Sequence, residues 1–185
     1  MSGIDAKQAA EALSDVEAMV ARVRQSRIYQ VAGLNLIWWG PLLTIGYLVS
    51  FFTPRHAGVS WIVINLIGIA GSFAIVAHTR MRGGKRGMGG RILATVLLFF
   101  GFGLLWSVLI VPFTPRQLGA FWSMYVMLVY TIAGLWFGHA LVAIGLGIAA
   151  LALAGYFFAG PWFELWMALV SGGGLLLGGL WMRRN

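Results

Sequence analysis

Six apolar stretches, each close to the length of a membrane-crossing helix, fill most of this chain, and nearly all of its charges fall outside them. The hydrocarbon core of a bilayer is about 30 Å thick, which takes about 20 helical residues to cross. The stretches run over about 29–52, 59–78, 92–113, 118–138, 140–158 and 162–182. They are separated by Thr53-Pro54-Arg55, a Gly- and Arg-rich run over 79–91, Thr114-Pro115-Arg116, Gly138-His139 and Gly160-Pro161. Only 10% of the residues are charged, against about 25% in soluble domains. A chain this poor in charge cannot cover a water-facing surface, whereas lipid accepts an apolar exterior. The expected fold is therefore all-α: six transmembrane helices, residues 29–185, packed as a bundle.

Residues 1–28 differ in kind. They hold four of the five acids, Asp5, Glu11, Asp15 and Glu17, and the bases Lys7, Arg22, Arg24 and Arg27. Apolar side chains at Ala9, Leu13, Val16, Val20 and Val23 are spaced 4, 3, 4 and 3 residues apart. That spacing describes an amphipathic helix with one narrow stripe. Its mixed charge favours a protein partner or a self-contact over adsorption to lipid, through the seam at residues 9–23.

Charge placement sets the orientation. With the N-terminus inside, 11 of the 13 bases are cytoplasmic, and only Arg55 and Arg116 lie outside. The positive-inside rule selects this topology, with both termini cytoplasmic. The net charge of +8 then reflects topology, not a nucleic-acid partner. Trp61, Trp122, Trp162 and Trp166 fall towards the outer interface, and Trp136 and Trp181 towards the inner one, depths that suit an indole N–H.

The chain also repeats itself. FTPRHAGVSW at 52–61 and FTPRQLGAFW at 113–122 agree at six of ten positions, with an offset of 61 residues. At the same offset Trp38-Trp39-Gly40 matches Phe99-Phe100-Gly101. A weaker third copy places Gly145 and Trp162 where the first two have Gly40/Trp61 and Gly101/Trp122. The unit is a helical hairpin, so three hairpins share one orientation about an axis along the membrane normal, unlike inverted transporter repeats. Thr-Pro is a helix start, with Thr as N-cap and Pro at the first helical position. Alternatively, Arg55 and Arg116 form a basic outer mouth for an anion or a lipid headgroup.

The candidate site residues follow from scarcity. Glu164 is the only acid after Glu17. It joins Arg55 and Arg116 in a candidate outer-mouth cluster and is expected to pair with one of them. No acid or base lies in mid-helix, which argues against a proton-driven pump. Asn35, Asn65, Tyr47, Tyr125 and Tyr130 lie within the helices. They are either interhelical glue or the polar lining of a path. His78 and His139 share an interface depth and are weak candidates for a metal or haem; no metal or other cofactor is expected. Cysteine is absent, which removes disulfides and thiolate chemistry. The basic glycine-rich run Met81–Gly90 lacks the P-loop ending and is expected to be a lipid-touching linker. Gly174/Gly178, Gly68/Ser72 and Gly145/Ala149 are small-xxx-small pairs that permit close helix approach, within the chain or between copies.

Two stretches, FWSMYVMLVYTIAGLWFGHALVAIGLG at 121–147 and PWFELWMALVSGGGLLLGGLWMRR at 161–184, resemble a group of small, uncharacterised six-helix bacterial membrane proteins, some encoded beside winged-helix transcription regulators. The hairpin repeat with its proline turn is similar to the acid-resistance membrane protein (HdeD-like) family. The resemblance covers the later half best, carries no catalytic motif and supplies no functional residues. It implies a bacterial inner membrane and no enzymatic activity. The expected function is a stress-response or regulatory membrane component that works through a ligand or partner protein. The alternative is a channel or carrier for a neutral or apolar molecule, with a haem-binding or enzymatic subunit behind it.

Because the chain lacks cysteine, introduced cysteines report topology directly. His56→Cys is expected to react with a membrane-impermeant maleimide applied from outside, and Lys85→Cys only after permeabilisation. The reverse pattern would invert the topology.

Overall fold

The computed structural model describes residues 6–81, 89–110 and 113–184, and its described residues are entirely helices and short turns. Helix α1 (Ala6–Phe52) passes through a 3₁₀ turn at Pro54–His56 into α2 (Ala57–Met81). Helix α3 (Gly89–Leu105) ends in a π-helical turn, Trp106–Ile110. Helices α4 (Pro115–Phe137) and α5 (His139–Phe158) follow. The last segment is one rod in three parts: α6 (Phe163–Met167), a π-helical turn Ala168–Gly173, and α7 (Gly174–Arg184). Five stretches are long and apolar enough to cross a membrane, and Ala94–Leu109 is a shorter apolar helix.

The amphipathic segment and the first apolar segment are one continuous helix of 47 residues, with the candidate membrane span starting at Ile28. Nothing between Ser26 and Ala32 interrupts the hydrogen-bond ladder, since that stretch has neither Gly nor Pro. Pro41 lies inside the helix, where its missing N–H leaves the carbonyl four residues earlier without its usual donor.

The last rod is the centre of the bundle. It packs antiparallel to α1 through two reciprocal glycine contacts. A Cβ on Gly40 would stand 2.9 Å from the carbonyl oxygen of Gly172, and one on Gly172 would stand 2.9 Å from that of Gly40. Gly33 and Gly179 repeat the arrangement at 3.2 and 2.7 Å. Any side chain at these four positions would force the backbones apart. Gly174 and Gly178 occupy a second face and receive Ile148 and Ile144 of α5. The expected GxxxG pair is thus used within the chain, as are the other two small-residue pairs. Gly68 and Ser72 take Trp39, and Gly145 lies against Met127 and Thr131 of α4.

Helices α4 and α5 pack along their length and are joined by Gly138, whose φ of 137° favours glycine. Tyr29 of α1 fills the space where its Cβ would lie, which ties α1 to this turn. Gly160, at φ 52°, makes the next break. Two adjacent core clusters result. One holds Leu36, Met127, Leu141, Ile144, Ile148, Val170, Leu175 and Met182. The other holds Tyr47, Ala120, Ala152, Phe163, Met167 and Ala168.

Helices α2 and α3 lie outside this core, each held to its hairpin partner by aromatic rings. Trp38 donates to the carbonyl of Gly68 at 3.2 Å and Trp39 to Ser72 Oγ at 2.9 Å. At the matching positions of the repeat, Phe99 stacks on Tyr125 at 4.2 Å and Phe100 on Trp122 at 6.1 Å. The third copy does not share these contacts: Gly145 faces α4, and Trp162 lies exposed in a turn.

Gly172→Ala is expected to lower the thermal stability of the solubilised protein by the equivalent of about 2 kcal/mol, an overpacking cost. Gly147→Ala, where a Cβ meets nothing within 4 Å, is expected to leave it unchanged or raise it slightly. Thermal unfolding curves in one detergent compare the two.

Candidate functional site

The two copies of the FTPR motif have different local structures. Thr114 caps α4 in a full capping box: its hydroxyl oxygen accepts from the Gln117 N–H, and Gln117 Oε1 accepts from the Thr114 N–H. In the first copy His56 replaces Gln117. No side-chain cap forms there, and the Thr53 hydroxyl instead donates back to Val49 O at 2.9 Å. The weaker start is a 3₁₀ turn.

The arginines part company as well. Arg55 is exposed. Arg116 turns inward across the end of α5, where Nη2 donates to the carbonyl of Tyr156 and, at 3.5 Å, to that of Gly155. Its guanidinium lies 5.3 Å from the ring centroids of both Tyr156 and Phe163. Its Nε is buried without a hydrogen-bond partner. The last carbonyls of a helix lack intrahelical donors and carry partial negative charge, so a cation is a suitable cap there. Arg116 is therefore a bolt joining α4, α5 and α6.

Glu164 is half-buried beside this bolt and close enough to Tyr47 to act on it electrostatically. Among the described residues it forms no ion pair. The expected pairing with Arg55 or Arg116 is not made, because Arg116 is taken by the α5 carbonyls and Arg55 faces solvent.

The candidate polar lining does not converge either. Asn35 donates to Val31 O at 3.0 Å and Asn65 to Trp61 O at 2.8 Å, each within its own helix. This back-bonding satisfies an amide donor of each asparagine within its own helix. Tyr47 donates to Gly119 O at 3.2 Å and Tyr125 to Phe99 O at 3.1 Å, and both bonds link helices. Tyr130 packs against the first core cluster. His78 and His139 are exposed, and no group of three metal-ligating side chains occurs among the described residues. The basic stretch 82–88 lies outside the described residues.

A polar cluster not anticipated from sequence sits around the π-helical turn of the last rod. Ser171 is buried and lies 3.0 Å from Ser123 Oγ of α4. Thr44 of α1 donates to Gly40 O at 3.1 Å and Ala168 O at 3.4 Å. These short hydroxyls bond to one another or to backbone, which binds three elements without opening a path. Trp61 donates to Ser50 Oγ and Trp166 to Leu151 O, so both serve packing, while Trp136 and Trp162 remain exposed.

The N-terminal third of α1 carries an exposed apolar stripe. Leu13, Val16, Met19, Val20 and Val23 are 55–65% exposed there. A shallow apolar hollow is lined by Val16, Met19, Val20 and Val23, and a second by Arg22, Val23, Ser26 and Gln30.

Arg116→Leu is expected to lower thermal stability by about 1–3 kcal/mol, the cost of uncapping buried acceptors. Glu164→Gln is expected to leave it within about 0.5 kcal/mol, as for a residue outside any bonded network. Equal losses in the two unfolding curves would reinstate the ion pair.

Compared with known proteins, the chain matches no family model, no curated protein and no solved structure.

Proposed function

We propose that this chain is a non-enzymatic inner-membrane adaptor: a six-span bundle of three hairpins that presents one rigid cytoplasmic helix to a protein partner. The observation that carries this reading is the unbroken α1 with its exposed stripe. A helix of 47 residues is about 70 Å long, more than twice the hydrocarbon thickness. Its apolar half is fixed against the last rod, so its polar half stands off the membrane. Burying one such Val or Leu side chain is worth about 1.5–3 kcal/mol, and five of them left in water favour a cover. Six spans need α3, whose 17 residues and following five-residue π-helical turn together are long enough to cross. Positive-inside bias supports cytoplasmic ends.

The channel or carrier reading has less support. Asn35, Asn65, Tyr47 and Tyr125 bond to backbone in different parts of the bundle, Tyr130 packs against the core, and the polar cluster at Ser171 is internally satisfied.

The test is a benzophenone amino acid placed at Val20 in the full-length protein in cell membranes. Ultraviolet light is expected to yield an adduct with a polypeptide. Adducts with lipid alone, at both Val16 and Val20, would overturn the adaptor reading.

A further inference from the structure

Building on the adaptor reading, we propose that the stripe on the N-terminal third of α1 is covered by the same stripe of a second copy of this chain, paired in parallel and in register. Three observations point to this occupant. The first is the spacing. Ala9, Leu13, Val16, Val20 and Val23 alternate by four and three residues, the pattern of a coiled-coil seam, narrower than the face a helix turns to lipid or to a globular core. The charged residues Glu11, Asp15 and Arg22 fall off that seam. The next seam position is Arg27, so the seam ends where the first membrane span begins, at Ile28.

The second is the shape of the surface. The apolar hollow lined by Val16, Met19, Val20 and Val23 is bounded by residues i, i+3, i+4 and i+7 of one helix. That four-residue diamond is the hole into which a facing helix inserts its knob. A second copy supplies a matching knob at the same height, because the membrane holds every copy of α1 in the same direction and at the same depth.

The third is continuity along the rod. Val20 and Trp38 are 18 residues apart, about five turns, and so share a face. On that face Pro41, Ile45 and Phe52 are exposed and Trp38 reaches across to α2, while Gly33 and Gly40 face the last rod. The stripe thus points away from the last rod, which leaves it open to a second copy.

The experiment uses the full-length, naturally cysteine-free chain in native-lipid particles with a mild oxidant. Val16→Cys and Val20→Cys are each expected to give a disulfide-linked pair at least ten times more abundant than Ala18→Cys, which lies on the opposite face. The double variant Val16→Asp/Val20→Asp is expected to shift the solubilised protein to a smaller oligomer by native mass, with unchanged thermal unfolding of the bundle. Absence of linkage at 16 and 20, or equal linkage at 18, would overturn the proposal. If linkage fails while benzophenone at Val20 captures a different polypeptide, the second copy is wrong and the adaptor reading stands. If neither method yields a polypeptide, both fall.

Discussion

The bundle depends on two places where backbone meets backbone: Gly33 against Gly179 and Gly40 against Gly172. Lipid tails are as apolar as leucine, so helices in a bilayer gain little from burying apolar surface. They gain from close approach, from dispersion and from hydrogen bonds that lipid cannot replace. A seven-residue spacing of glycines on each helix provides that approach twice, one contact above the other. The last rod offers Gly174 and Gly178 to α5 on its other side and so becomes the element on which both α1 and the α4–α5 pair are assembled. The π-helical turn sits where these contacts meet, and Ser171 and Thr44 there are held by short hydroxyl bonds.

This packing gives α1 its second property. A helix fixed along its apolar half by the last rod, and by Tyr29 against the Gly138 turn, cannot pivot freely at the membrane surface. On the adaptor reading its polar half is then carried as an arm that presents the exposed valines at one height and rotation. The peripheral position of α2 and α3 follows from the same logic. They are joined to the core through tryptophan, phenylalanine and tyrosine rings, and most of their apolar side chains face outward, as suits lipid.

Much of this was legible in the sequence. Segments of near-uniform apolarity marked the helices to within a few residues, and glycine with proline marked the turns, since positive φ at Gly138 and Gly160 suits little else. The small-residue pairs were visible too, though not which helix each would face. The rest was hidden because it depends on partners. Identical FTPR letters gave one capping box and one 3₁₀ turn, decided by Gln117 against His56. Arg116 reads as a surface cation until the C-terminal carbonyls of α5 are placed beside it. Asn35 and Asn65 look as though they need interhelical partners, yet each bonds four residues back. The continuity of α1 across residue 28 was not legible either, because the change of composition there does not interrupt a hydrogen-bond ladder.

The central claim is that α1 is one rigid rod from its polar stripe to its far end. Spin labels on cysteines at Ala18 and Phe52, diluted with unlabelled protein in native-lipid particles, measure this by electron–electron double resonance. A continuous helix predicts a single narrow distance near 50 Å, from 1.5 Å of rise per residue. A broad or much shorter distribution would mean that the arm folds at the membrane surface, and would contradict the account.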